Sequence, residues 1–186
     1  MTQVLRGNIV HAPAMGRLDI LEHGCLVLED GVITGLYPEL PAHLEGAEVR
    51  DFGDRIIMQS FADMHLHAPQ YPMLGMGMDL PLLDWLNTYT FPTEARFADL
   101  DYARRVYRRL ATDLITNGTT RVCMFSSLHT EATLILMDEL ERAGVTGYVG
   151  KVNMDRNGLP GKLQETTDES VRETLRWLDA CHFEHV

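Results

Sequence analysis

Ile56-Ile57-Met58-Gln59-Ser60-Phe61-Ala62-Asp63-Met64-His65-Leu66-His67 is the stretch that decides the fold. It is mostly apolar, which is typical of a strand that a parallel sheet buries on both faces. Side chains alternate along a strand, so we expect His65 and His67 to point to the same side. Two imidazoles near the carboxyl end of a strand can bind one metal ion, and zinc is the natural choice for histidine nitrogen.

The residues after this strand alternate between helical and strand patterns. A long loop punctuated by proline contains a short amphipathic stretch at 80–86, and Pro92 suits the first turn of another helix. Further helices are predicted at 99–117, at 130–143 with Thr130 as N-cap, and after the capping box Thr166-x-x-Glu169, with strands at 119–126 and 145–152. This order predicts right-handed crossovers and a parallel sheet whose carboxyl edge carries the active site.

The final predicted helix and the N-terminal region complete the expected architecture. In the final helix, Val171, Leu175 and Leu178 form the expected apolar face. Residues 1–57 are predicted to form short strands at 4–10, 24–28, 32–37 and 49–52, with a hairpin turn at Glu29-Asp30-Gly31.

We therefore expect an α/β chain in two parts: a small β-sandwich segment at residues 1–57, then an incomplete TIM-like β/α barrel at 58–186. A barrel of this kind has eight strands and about 250 residues. This chain supplies about three strands, so we expect it to be the N-terminal portion of a longer enzyme.

Composition excludes several classes of function. The formal net charge of −11 argues against a nucleic-acid surface, because phosphate binding needs clustered Lys and Arg. No apolar run reaches the roughly 20 residues of a membrane-spanning helix, and we expect no signal peptide from the first residues. Cys25, Cys123 and Cys181 are widely spaced and most simply buried thiols, so we expect a cytoplasmic protein.

His-x-His alone is only a weak indication of a metal site, since two histidines can also hydrogen-bond in a core or lie on a surface. Catalytic zinc usually has at least three protein ligands. His129 follows the second strand of the predicted sheet and is expected near the same edge, but we favour a loop histidine at a helix start. The remaining histidines do not suggest a third ligand: His11, His23, His43, His182 and His185.

A longer pattern is more specific than the two histidines. Its segments are residues 63–72, the Trp85-containing stretch 79–94, and then 117–120, 129–130 and 150–157. In this order they resemble the guanine deaminases of the amidohydrolase superfamily, over roughly residues 50–186. One local departure is Gln59-Ser60, where that family usually has Pro-Gly.

The resemblance implies an activity and a few roles. It implies hydrolysis of guanine to xanthine and ammonia with one zinc ion, which His65 and His67 bind as the first two ligands. Gln70 matches a residue that hydrogen-bonds the guanine base, and His67 borders the same pocket. An amide suits a purine edge because it offers a donor and an acceptor, although without the resemblance we would favour a solvated loop residue at Gln70. A homodimer is possible by the same analogy.

The resemblance also implies what this chain does not contain. Two further zinc ligands (a histidine and an aspartate), a proton-shuttling glutamate and an Arg-Phe pair that holds the base would all lie beyond Val186. We therefore expect no catalytic residue within this chain and no activity from it alone. The alternatives are a non-catalytic fragment or interaction module, or another aminopurine deaminase of the superfamily.

Four further residues are given structural roles. Trp85, Tyr89 and Phe91 could wall an aromatic pocket, but we favour packing of a short helix. Lys151 follows the third predicted strand of the sheet, and we interpret it as structural or as support for the site.

Overall fold

The computed structural model describes residues 1–181, and the chain divides into two compact units, Met1–Gln59 and Ser60–Val186. The first unit is one mixed sheet of four strands: β1 (Thr2–Ala14), β2 (Arg17–Glu29), β3 (Val32–Tyr37) and β4 (Glu48–Met58). The strand order is β3-β2-β1-β4, with β1 antiparallel to β2 and parallel to β4. Its small core consists of Val4, Cys25 and Val27.

The hairpin between β2 and β3 forms as predicted. Glu29 pairs with Val32, and the two turn residues Asp30 and Gly31 have φ of +50° and +84°. Two consecutive positive φ angles are the geometry that a two-residue hairpin requires, and Gly31 accepts it without strain. The first two strands are longer than predicted, because β1 continues past Pro13 and turns only at Met15 and Gly16.

The prediction of one strand over 56–67 is wrong. Ile56, Ile57 and Met58 belong to β4 and pair with β1, and the sheet of the second unit begins only with β5 (Phe61–His67). The strand is not buried on both faces either, since Phe61 and Met64 are 57% and 68% exposed. Within the described residues β5 is an edge strand that pairs with one neighbour. An unbroken apolar run does not reveal which sheet each residue joins.

The second unit has the alternating order that the sequence predicts. After β5 come the short helices α1 (Leu82–Trp85) and α2 (Phe91–Glu94), then α3 (Leu100–Thr116), β6 (Thr119–Phe125), α4 (Thr130–Ala143), β7 (Thr146–Gly150) and α5 (Thr167–Ala180). The three strands are parallel in the order β5-β6-β7. Helices α3 and α4 pack against each other. The largest fully buried side chains of this unit include Phe97, Tyr107, Met124, Leu136 and Leu140.

The helix starts agree only partly with prediction. The capping box is confirmed: Thr166 accepts from the Glu169 amide while the Glu169 carboxylate accepts from the Thr166 amide. Thr130, in contrast, is not an N-cap. His129 holds that position without a side-chain cap, and the Thr130 hydroxyl donates to Glu173 Oε2 at 2.9 Å. The Thr130 hydroxyl, which the local sequence pattern predicts to cap the start of α4, therefore hydrogen-bonds a carboxylate of α5 instead.

The apolar face predicted for α5 does not pack against the described residues. Val171, Leu175 and Leu178 are all exposed, and the helix buries Ser170 and Trp177 instead. Among the cysteines, Cys25 is buried as predicted, whereas Cys123 and Cys181 are only partly buried. In the part of the chain that the structure describes, no helix combines the length and apolar character of a membrane span.

Candidate functional site

His65 and His67 lie side by side near the carboxyl end of β5. Their ring centroids are 5.2 Å apart and their planes cross at 74°. Phe125, which is the register partner of His67 at the end of β6, has its ring 5.1 Å from His67 and 6.1 Å from His65. The three rings therefore share one side of the sheet edge, and the alternation of side chains along β5 explains why the two histidines meet.

The environment of His67 favours the neutral form of its imidazole. Partial burial lowers the pKa of His67, and the neighbouring His65 lowers it further. A neutral imidazole offers a nitrogen lone pair, which is the form that binds metal. The backbone is held locally as well, because the amide of His65 donates to Asp63 Oδ1 at 3.1 Å.

The donor set suits zinc, which histidine nitrogen commonly binds. The pair supplies two such nitrogens at the carboxyl edge of a parallel sheet. Among residues 1–181, however, no group of three or more His, Cys, Asp or Glu side chains comes together in a way that could hold a metal. The described residues therefore offer a metal ion two adjacent histidine nitrogens and no third ligand beside them. His182 and His185 lie outside the described residues.

Gln70 stands three residues beyond His67, in the 3₁₀ turn Ala68–Met73 that follows β5 directly. Its Nε2 donates to Glu94 Oε1 at 3.1 Å. Glu94, at the end of α2, is only 6% exposed, and this burial raises its pKa while the Gln70 hydrogen bond opposes the rise. Gln70 is thus anchored to a buried carboxylate and is not a solvated loop residue.

No role is predicted for Glu94 from the sequence, although the spacing of its neighbours in the sequence indicates that it is buried. Thr90, Glu94 and Phe97 are spaced by four and three residues, so they fall on one helical face, and all three are buried. An acidic residue on an otherwise inward-facing stripe is unusual and points to a specific partner.

His129 does not join the histidine pair. It precedes α4, and its Nε2 is buried without a hydrogen-bond partner in the described residues. Burial lowers the pKa of His129, the nearby Lys151 lowers it further, and Glu165 opposes the shift. Lys151 has a fully buried side chain, whose Nζ lies 3.5 Å from Glu165 Oε1 and donates to Asn153 Oδ1 at 3.2 Å.

Lys151 gives a prediction about pH. Burial lowers the pKa of Lys151 in spite of the attraction of Glu165. Between the lowered folded value and the unfolded value near 10.4, the unfolded state binds more protons, so stability rises with pH. We expect the free energy of unfolding of the wild type, minus that of Lys151→Met, to increase between pH 7.5 and 10.5 in urea titrations.

Lys162→Met, at an exposed position, is the matched control for Lys151→Met. The corresponding difference for this variant is expected to stay flat over the same range. A Lys151 difference that is flat or falls with pH would contradict the prediction.

The aromatic segment makes packing contacts. Trp85 Nε1 donates to the carbonyl of Met76 at 2.9 Å, and the Tyr89 ring lies against Gly77, where φ is +66° and a Cβ would stand 2.4 Å from the ring. Trp85 also lines a cavity of about 290 Å³ together with Gly77, Met78, Leu80 and Leu82. That lining includes neither histidine of the pair nor Gln70.

Comparison with known proteins shows which family the chain belongs to. Residues 56–184 match the amidohydrolase family. The guanine deaminase of Rattus norvegicus is 39% identical over 184 residues, which is 94% of this chain and 40% of that protein. The guanine deaminase structure from C. acetobutylicum, with guanine bound in the active site, matches with a TM-score of 0.90 and 40% identity over 97% of this chain and 43% of that one.

A more distant structure extends only the fold comparison. The adenosine deaminase from Xanthomonas campestris with bound zinc matches with a TM-score of 0.72 at 20% identity, over 96% of this chain and 39% of that one. The resemblance to guanine deaminases inferred from the sequence is confirmed. The chain spans about 40% of the length of the curated relatives it matches.

Proposed function

Because this chain belongs to the amidohydrolase family, we propose that it forms part of a zinc-dependent guanine deaminase that hydrolyses guanine to xanthine and ammonia. The observation that carries the proposal is the pair of adjacent imidazoles, with ring centroids 5.2 Å apart, at the carboxyl end of a parallel strand. The similarity to guanine deaminases over nearly all of the chain supports the choice of substrate.

The proposal includes an architecture. Three parallel strands joined through helices correspond to the first part of a TIM-like barrel, in which active sites lie at the carboxyl edge. The four-stranded sheet of residues 1–59 corresponds to one layer of the proposed β-sandwich segment. A cytoplasmic location remains a prediction from the cysteine usage, and a homodimer remains a prediction from the resemblance.

His65 and His67 would hold the zinc ion through one ring nitrogen each. When bound there, zinc would lower the pKa of a water molecule to about 7 and so make it able to attack the base. Partial burial lowers the pKa of His67, and the Phe125 ring lies beside both imidazoles, 5.1 Å from His67 and 6.1 Å from His65. Gln70 and His67 would contact the base, with the Gln70 amide held by Glu94. The remaining ligands and the proton-shuttling glutamate are still expectations beyond Val186.

The test measures hydrolysis of guanine by the protein purified as its source cells produce it, after loading with Zn²⁺. Xanthine is measured by chromatography and ammonia by a coupled enzymatic assay. We expect equal amounts of the two products, with adenine and cytosine left unchanged. Zinc-loaded protein that converts no guanine, or that prefers another aminopurine, would overturn the proposed substrate.

A second candidate is a chain that binds metal without turnover. It is favoured by one observation: among residues 1–181 no third metal-ligating side chain joins His65 and His67. The 186-residue chain expressed alone tests this reading. Zinc bound at those two histidines without any xanthine formation would support it, whereas guanine turnover by the isolated chain would exclude it.

A further inference from the structure

We propose that Glu94 is a positioning residue that turns the Gln70 amide so that its carbonyl oxygen faces the purine and accepts a hydrogen bond from an N–H of the base. The inference rests on the proposed function and deepens it, because it specifies that Gln70 contacts an edge of the substrate that donates hydrogen bonds. It starts from the hydrogen bond of Gln70 Nε2 to Glu94 Oε1 at 3.1 Å.

The direction of that hydrogen bond follows from the chemistry of the two groups. In the structure the amide nitrogen of Gln70 donates to a carboxyl oxygen of Glu94, and an amide has one donating and one accepting end. Rotating the Gln70 amide by half a turn would bring its oxygen against the Glu94 carboxylate. Glu94 is buried, so water screens this repulsion poorly. The amide nitrogen of Gln70 is therefore used in the hydrogen bond to Glu94, and its oxygen is the atom that can accept a hydrogen bond from a ligand.

Both partners stand on rigid supports. Glu94 ends α2 between the buried Thr90 and the fully buried Phe97, whose ring stacks on Tyr107 with centroids 4.8 Å apart. Gln70 directly follows Pro69, which is also buried. A carboxylate fixed in this way can hold the amide in one orientation before the base arrives, which lowers the entropy lost on binding.

The orientation has a consequence for recognition. Guanine carries ring N–H groups as well as acceptors, and an accepting group at position 70 pairs only with a donor. Glutamate at position 70 would also accept, provided that its neighbour donates. The exchange variant Gln70→Glu/Glu94→Gln therefore keeps the hydrogen bond and keeps an acceptor toward the base, although both residues have changed.

The experiment measures guanine binding by equilibrium dialysis, and KM and kcat, on the zinc-loaded protein as its cells make it. Glu94→Met is expected to raise the Kd about threefold to tenfold, because the amide loses its fixed orientation. Gln70→Glu alone should raise it at least about tenfold, since two carboxylates then face each other at a buried site. The exchange variant should return to within about threefold of the wild-type Kd, and in all three variants the effect should fall on KM more than on kcat.

Two further measurements separate positioning from general stability. Thermal unfolding verifies that each variant folds, and Glu141→Gln, at an exposed position, is the control. Without any guanine, NMR should show slower solvent exchange of the Gln70 side-chain amide in the wild type than in Glu94→Met. The resonance is identified by its loss in Gln70→Glu.

Each outcome decides between the two proposals. An exchange variant that folds but binds as weakly as Gln70→Glu would mean that the base needs a donor at position 70, and would overturn the inference alone. Glu94→Met with wild-type Kd or wild-type amide exchange would do the same. A wild type that neither binds nor converts guanine would overturn the proposed function and this inference with it.

Discussion

Replacing His65 or His67 with alanine is expected to lower the zinc affinity of this chain at least about 100-fold. Loss of a group that merely orients a ligand costs about 10–100-fold in metal affinity, and loss of a direct ligand should exceed that range. The two ring centroids are 5.2 Å apart, and among residues 1–181 no group of three or more metal-ligating side chains exists that could bind the ion in their place. Isothermal titration with Zn²⁺ at pH 7.5 measures the effect.

His43→Ala is the matched control for the zinc measurement. His43 is exposed in the short 3₁₀ turn Ala42–Leu44 of the first unit, so its replacement should leave zinc affinity unchanged. Equal zinc binding by the wild type and by the double variant His65→Ala/His67→Ala would refute the assignment of the metal to this pair. Loss of binding in the control would show that surface histidines dominate the titration.

The largest effect on stability is expected from Phe97→Ala. Phe97 is fully buried, stacks on Tyr107 at 4.8 Å and contacts Tyr102 edge-on at 5.2 Å. Removing a buried phenylalanine loses its transfer free energy and leaves a cavity, which together cost about 4 kcal/mol. Because small domains have only about 5–15 kcal/mol in total, such a loss is severe. Urea unfolding followed by circular dichroism measures it.

Phe61→Ala provides the comparison at an exposed site of the same unit. Phe61 is 57% exposed, so its removal should lower the free energy of unfolding by no more than about 1 kcal/mol. Equal losses at Phe61 and Phe97 would mean that the segment linking β5 to α3 does not pack as the structure describes. That result would also weaken the inference on Glu94, which depends on the same packing.

Several features could be predicted from the sequence because their causes are local. The adjacency of His65 and His67 follows from the two-residue period of a strand. The capping box at Thr166 and the turn at Asp30-Gly31 depend on residues within three positions of each other. The parallel order of the second sheet follows from alternating strand and helix patterns, since a parallel pair needs a long crossover.

Other features depend on which distant segments meet, and only the tertiary structure decided them. The apolar run from Ile56 to His67 is divided between two sheets, because its first three residues pair with β1 and only the residues from Phe61 onward form β5. The apolar stripe of α5 is exposed, since periodicity defines a face but not what covers it. The contact of Gln70 with Glu94 joins residues 24 positions apart. Burial strengthens the electrostatic effect of the Glu94 carboxylate on Gln70, and the burial of a side chain is decided only when the chain packs.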